Sequence, residues 1–107
     1  MIYLTNPQHY YNVIQHQKHV VLNIRTNNCA PCKRGVPLFV ELSRKHPNLT
    51  FAVLEIEKSY GKEFIEEVLQ LNAVPTFDVY TDGYRVFRTT SPKNFHQLEE
   101  FVEDNLP

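Results

Sequence analysis

The sequence predicts an α/β fold, a mixed central β-sheet of about five strands flanked by about four helices, in a single domain over residues 1–107. Three observations lead there. Short apolar runs alternate with stretches of helical periodicity through the first half of the chain. Asp82-Gly83 then separates two alternating segments, as in a tight antiparallel hairpin. An amphipathic stretch closes the chain. Parallel strands need helical crossovers and a hairpin gives antiparallel ones, so the sheet is mixed and both of its faces are covered.

Each element follows from local pattern. Ile2 to Thr5 alternates briefly as a strand, and after Asn6-Pro7 the residues Tyr10, Val13, Ile14 and Gln17 recur at helical spacing. Val20-Val21-Leu22-Asn23-Ile24 is too short for a helix and apolar on both faces apart from Asn23, which fits a central strand. From Ala30 onward Val36, Leu38, Phe39, Val40 and Leu42 make a helix with Pro37 inside it, closed by His46-Pro47-Asn48. Phe51 to Ile56 is a second buried-type strand, followed by a helical face of Tyr60, Phe64, Ile65, Val68 and Leu69. Thr76 to Tyr80 and Arg85 to Thr89 are the hairpin strands, the second a polar-faced edge. Ser91 is placed to cap the last helix with Pro92 at its first position, and Phe95, Leu98, Phe101 and Val102 line its inner face.

Composition narrows the function. A chain of 107 residues is long enough for one core without metal or disulfide staples. The net charge of −1, with Lys and Arg scattered, offers no field for nucleic-acid phosphates or anionic lipid, so neither nucleic acid nor membrane is an expected partner. The first residues have no basic region followed by a long apolar run, so the expected location is cytoplasmic, and nothing demands more than a monomer. In a compartment that keeps thiols reduced, two closely spaced cysteines are catalytic or metal-binding before they are a staple.

Those cysteines are Cys29 and Cys32, in Cys29-Ala30-Pro31-Cys32 at the start of a helix directly after a buried strand. Unpaired backbone N–H groups at a helix start stabilise a thiolate, which makes Cys29 the expected nucleophile. Cys32 lies one turn further in, shielded and within reach of a mixed disulfide, as a resolving thiol should be. Pro31 sets the first turn without wasting a donor, whereas Lys33, a cation near a helix start, opposes the dipole. The competing reading is half of a metal site. It needs further ligands, and His9, His16, His19, His46 and His96 are not paired at finger-like spacing. A carrier that completes a metal or iron–sulfur site by dimerising through the cysteines is the remaining form of that alternative.

Val20 to Pro37, then Val74-Pro75-Thr76, then the Asp82-Gly83 hairpin and the closing helix together resemble the thioredoxin family along nearly the whole chain. The resemblance implies the thioredoxin fold and a thiol–disulfide oxidoreductase that reduces protein disulfides through Cys29 and Cys32 and uses no cofactor or metal. It implies a cis peptide bond before Pro75 and a substrate groove at Val74 and Pro75, with Asn28, Ala30 and Pro31 on the rim beside the sulfurs. Pro37 corresponds to the family's helix-kinking proline. The partners implied are disulfide-containing protein substrates and a thioredoxin reductase or other dithiol donor. Pro before the second cysteine is a feature of reducing members.

The chain departs from that family at three places. Asn28 stands where a Trp usually precedes the first cysteine, and the chain has no Trp at all. Asn23 aligns with the family's buried Asp and Val53 with the Lys that accompanies it, so a proton acceptor for Cys32 is lost along with its partner. Resolution by Cys32 is therefore expected to rely on water or another group and to be slower near neutral pH. Alternation places Asp78 opposite Phe77 and Val79, as a solvent-reaching or strand-end residue, and Glu57 at the end of its strand. Glu55 sits between apolar neighbours, and the sequence leaves its position relative to the sulfurs open. A thioredoxin-like binding module, docking a partner at Val74-Pro75 with the cysteines as a slow switch, is the alternative function.

Overall fold

The computed structural model describes residues 1–57 and 59–107. Five strands, β1 (Ile2–Leu4), β2 (His19–Arg25), β3 (Thr50–Glu55), β4 (Thr76–Thr81) and β5 (Tyr84–Thr90), form one mixed sheet in the order β1-β3-β2-β4-β5. β3 runs parallel to β1 and β2, and β4 is antiparallel to both β2 and β5. β2 is central and buried along Val20–Ile24, as its two-sided apolar pattern requires.

Alternation divides the core into two layers. Val20, Leu22 and Ile24 of β2 pack with Leu54, Tyr80 and Leu4 under helix α1 (Pro7–His16), which contributes Tyr10, Val13 and Ile14. Val21, Val53, Phe77 and Val79 face the other way, under helices α2 (Ala30–Lys45) and α3 (Phe95–Asn105), which contribute Phe39, Leu42, Leu98 and Val102. Asn6 starts α1 by accepting the His9 N–H at 2.9 Å on its side-chain oxygen, with Pro7 at the first helical position. α2 runs on through Pro37, which removes one backbone donor from it. It also approaches β4 closely at Gly35, where a Cβ would sit 3.1 Å from the Phe77 ring.

Two elements differ from the simplest sequence reading. The third helical segment is a π-helical stretch, Phe64–Val68, closed by a bond from the Leu69 N–H to the Phe64 carbonyl. Its apolar face is the expected one, since Phe64, Ile65, Val68 and Leu69 pack on the α1 layer. Ser91 and Pro92 do not open α3 directly. They start a 3₁₀ turn, Pro92–Asn94, in which Ser91 Oγ accepts the Lys93 N–H, and α3 follows from Phe95. In the hairpin turn Asp82 and Gly83 both have positive φ, 52° and 86°, as a tight turn between twisted strands demands.

Asp78 is a correction. It does lie opposite Phe77 and Val79, but that face is covered, and Asp78 is fully buried rather than solvent-reaching. The carboxylate accepts from Arg88 Nε at 2.7 Å and from Nη2 at 2.9 Å, across the β4–β5 register. Burial pushes its carboxyl above the usual range, while the Arg88 hydrogen bonds and charge pull it back. Arg88 also donates to the Leu69 and Gln70 carbonyls, and Arg85 to Leu69, so β5 holds the end of the π-helical segment through its arginines.

Candidate active site

β2 delivers the chain at Arg25 to a three-residue loop, Thr26 to Asn28, and α2 begins at Ala30 with Cys29 as its N-cap. The cap is made by sulfur: the Cys32 N–H donates to Cys29 Sγ at 3.2 Å. Cys29 Sγ therefore sits among the free amides of the first turn, where negative charge on sulfur is stabilised, and that turn has no acidic residue to oppose it. Cys29 and Cys32 are joined as a disulfide with Cα atoms 5.2 Å apart. Cys29 is half-buried, whereas Cys32 is only 2 % exposed, which gives the pair an outer and an inner sulfur.

The residues expected around the sulfurs are brought together in part by contact and in part by proximity in the chain. The Val74 carbonyl oxygen lies 4.0 Å from Cys29 Sγ. The Val74–Pro75 peptide bond is cis, with Val74 half-buried and Pro75 buried. Two hydrogen bonds hold this corner: Thr76 Oγ1 donates to the Ala73 carbonyl at 2.6 Å, and the Ser91 N–H to the Pro75 carbonyl at 3.2 Å. Next to the sulfurs in the chain, Asn28 and Ala30 are exposed and Pro31 is half-buried. The resulting rim is a small, uncharged surface around one accessible sulfur.

Asn23 of β2 is 1 % exposed, paired in register with Val53 on one side and Phe77 on the other. Its side-chain amide reaches the Thr76 carbonyl at 3.5 Å, so it ties β2 to the strand that leaves Pro75. An amide buried this way cannot take up a proton from Cys32. Glu57 accepts from both the backbone and the side-chain amide of Asn27, which fastens the loop before the cysteines to the segment just after β3. Among the described residues no group of three or more His, Cys, Asp or Glu is placed to hold a metal ion.

The family model described as Thioredoxin matches residues 1–104. The chain belongs to the thioredoxin family. Thioredoxin-3 of Dictyostelium discoideum is 30 % identical over 106 residues, covering 99 % of this chain and 97 % of that protein. Thioredoxin H5 of Oryza sativa subsp. japonica is 31 % identical over 97 residues, covering 89 % of this chain and 68 % of that protein. Among solved structures, oxidised mitochondrial thioredoxin 3 of Saccharomyces cerevisiae aligns with a TM-score of 0.84 at 25 % identity, over 97 % of this chain and 94 % of that one. Plasmodium falciparum thioredoxin shares the fold with a TM-score of 0.85 at 22 % identity, over 98 % and 99 %. As a thioredoxin-family protein with its cysteine pair in place, the chain is a protein-disulfide oxidoreductase that works by dithiol–disulfide exchange through Cys29 and Cys32.

Sequence reasoning passed over Arg25. It lines an open cavity of about 240 Å³ together with Thr26, Asn27, Cys32, Lys33, Val36 and Glu55. Glu55, whose position the sequence left open, thus lines the same cavity as the inner cysteine. Its carboxylate lies 3.6 Å from Arg25 Nε, across the β2–β3 register. The one available signal was strand arithmetic, which pairs the last residue of β2 with the last of β3.

Proposed function

We propose that this protein reduces disulfides in other proteins, with Cys29 as nucleophile and Cys32 as resolving thiol. The observation that carries the reading is the asymmetry of the pair, a half-buried Cys29 at the helix N-cap bonded to a buried Cys32. In the reduced protein the Cys29 thiolate attacks one sulfur of a substrate disulfide, and the other leaves as a thiolate that takes up a proton. Cys32 then attacks Cys29 Sγ, the second substrate sulfur leaves, and the Cys29–Cys32 disulfide closes. A thioredoxin reductase or another dithiol donor returns the two electrons. Such cycling suits a reducing compartment, and the cytoplasm is the location we assign to it.

The substrate lies, on this reading, as an extended segment along Val74 and Pro75. The Val74 carbonyl beside Cys29 offers an acceptor to a substrate amide, and Pro75, having no N–H, leaves the neighbouring backbone free of a competing donor. Asn28, Ala30 and Pro31 form the opposite rim and contribute hydrogen bonding and little apolar area.

The test is insulin reduction driven by dithiothreitol, with Cys29→Ser and Cys32→Ser beside the parent. Acceleration by the parent, abolished in Cys29→Ser and replaced in Cys32→Ser by an accumulating mixed disulfide, is expected. No acceleration above the variants would reject the reductase reading in favour of a docking module.

A further inference from the structure

Attack by Cys32 requires its thiolate, and the residue that would ordinarily take the proton is an amide here, Asn23, with Val53 rather than a lysine in register beside it. Cys32 nevertheless opens on the cavity it shares with Arg25, Thr26, Asn27, Lys33, Val36 and Glu55. At about 30 Å³ per molecule, that volume admits several waters. Among the described residues lining it, Glu55 carries the one carboxylate. Its side chain is 45 % exposed and that of Arg25 18 %, so the pair joins the cavity to solvent.

The other carboxylates nearby are otherwise engaged. Glu57 is bonded to Asn27 and lines a neighbouring cavity with Glu55, Ser59 and Tyr60. Asp78 is locked to Arg88 on the opposite face of the sheet from Asn23. Among the described residues, the charged or titratable groups that share a cavity lining with Glu55 are accordingly Arg25 from β2, Cys32 and Lys33 from α2, and Glu57 and Tyr60 from the segment after β3.

We infer that Glu55, oriented by Arg25, accepts the proton of Cys32 through water in this cavity during resolution of the mixed disulfide. The inference rests on the reductase reading above, in which Cys32 is the resolving thiol. In the mixed disulfide Cys29 Sγ is bonded to a substrate sulfur, and Cys32 holds its proton. The proton passes through water to the Glu55 carboxylate, and the Cys32 thiolate attacks Cys29 Sγ. The Cys29–Cys32 bond forms while the Cys29–substrate bond breaks with its electron pair on the substrate sulfur. Glu55 then releases its proton to solvent or to the departing thiolate, so no other reactant is consumed.

The test follows reduced protein mixed with 5,5′-dithiobis(2-nitrobenzoate) by stopped flow. The first release of thionitrobenzoate reports attack by Cys29, and the second reports resolution by Cys32. In Glu55→Gln the first phase is expected within about twofold of the parent. The second slows about five- to tenfold at pH 6–7, less than the usual general-base effect because the carboxylate acts through water, and the gap closes by about pH 9.5, where thiols ionise unaided. Glu55→Asp recovers part of the rate. A carboxylate that merely repelled the thiolate would give the opposite result, a faster second phase in Glu55→Gln at pH 6. That result, an unchanged second phase, or a slowing equal at every pH overturns the role of Glu55. Absence of the first phase in the parent instead overturns the exchange reading on which the role rests.

Discussion

Asn23 and Val53 occupy paired positions on the neighbouring parallel strands β2 and β3, and both are almost wholly buried. An amide beside a valine is compatible with the core because neither carries charge. The position that would hold an acid in a typical family member is thereby neutral.

Asn23→Asp should therefore destabilise the protein, and more so as pH rises. The new carboxyl, buried without a cation, would ionise well above the ordinary range of about 3.9. Between the two values the folded state holds a proton that the unfolded state has lost, so stability falls with rising pH. Urea melts at pH 5 and pH 8 should show a loss of about 3 kcal/mol at pH 8 and less at pH 5, with part of it recovered by adding Val53→Lys. An equal loss at both pH values would mean that packing, not charge, is what the substitution disturbs.

Asp78 and Arg88 should behave as one unit. Arg88→Met leaves a fully buried carboxylate without its partner, and a loss of about 3 kcal/mol is expected. Asp78→Asn leaves Arg88 its carbonyl acceptors on Leu69 and Gln70 and a side chain 21 % exposed, so its cost should be smaller, about 1–2 kcal/mol. The double variant should lie closer to parent than the sum of the singles, by about 1–3 kcal/mol in a thermal or urea cycle. Simple additivity would show that the two side chains are not coupled.

How much of this was legible from the sequence depends on whether a feature is local. The strands were legible because runs such as Val20 to Ile24 carry their own periodicity, and the redox pair because its helix start and the Val74-Pro75 corner are short motifs. Asp78 was misplaced because alternation tells which face a residue takes, not what covers that face. The cover is α1 and the π-helical segment, fixed only when Arg85 and Arg88 bind the Leu69 and Gln70 carbonyls. Arg25 and Glu55 met the same limit, since their proximity is a matter of register between strands 30 residues apart in the chain. Pro92 suits the first turn of either helix type, so the 3₁₀ turn before α3 carried no separate signal.

Tyr60 predicts an alkaline effect. Its hydroxyl is buried without a hydrogen-bond partner among the described residues, and burial pushes it up to about 12. From pH 10 to 12 the unfolded chain loses this proton while the folded one keeps it, so stability declines as pH rises through that window. Tyr60→Phe should make the decline shallower and leave stability at pH 7 unchanged or higher by up to about 1 kcal/mol, because an unsatisfied hydroxyl leaves the interior. Guanidinium melts at pH 7, 10 and 11 would decide it, and a decline as steep as in the parent would locate the alkaline loss elsewhere.

Asn28 predicts how the rim limits substrate capture. It is exposed one residue before the half-buried Cys29, where a large aromatic ring would lie against a bound polypeptide without entering the core. A ring there adds apolar contact with protein substrates, and a small aromatic disulfide that needs only access to sulfur gains little from it. Asn28→Trp should lower the KM for insulin about threefold, roughly 0.6 kcal/mol of added contact, while the rate of Cys29 with 5,5′-dithiobis(2-nitrobenzoate) stays within twofold. Equal gains on both substrates would indicate instead that the ring alters the thiolate itself, and no gain on insulin would mean that substrates approach Cys29 from the Val74-Pro75 side without touching this edge of the rim.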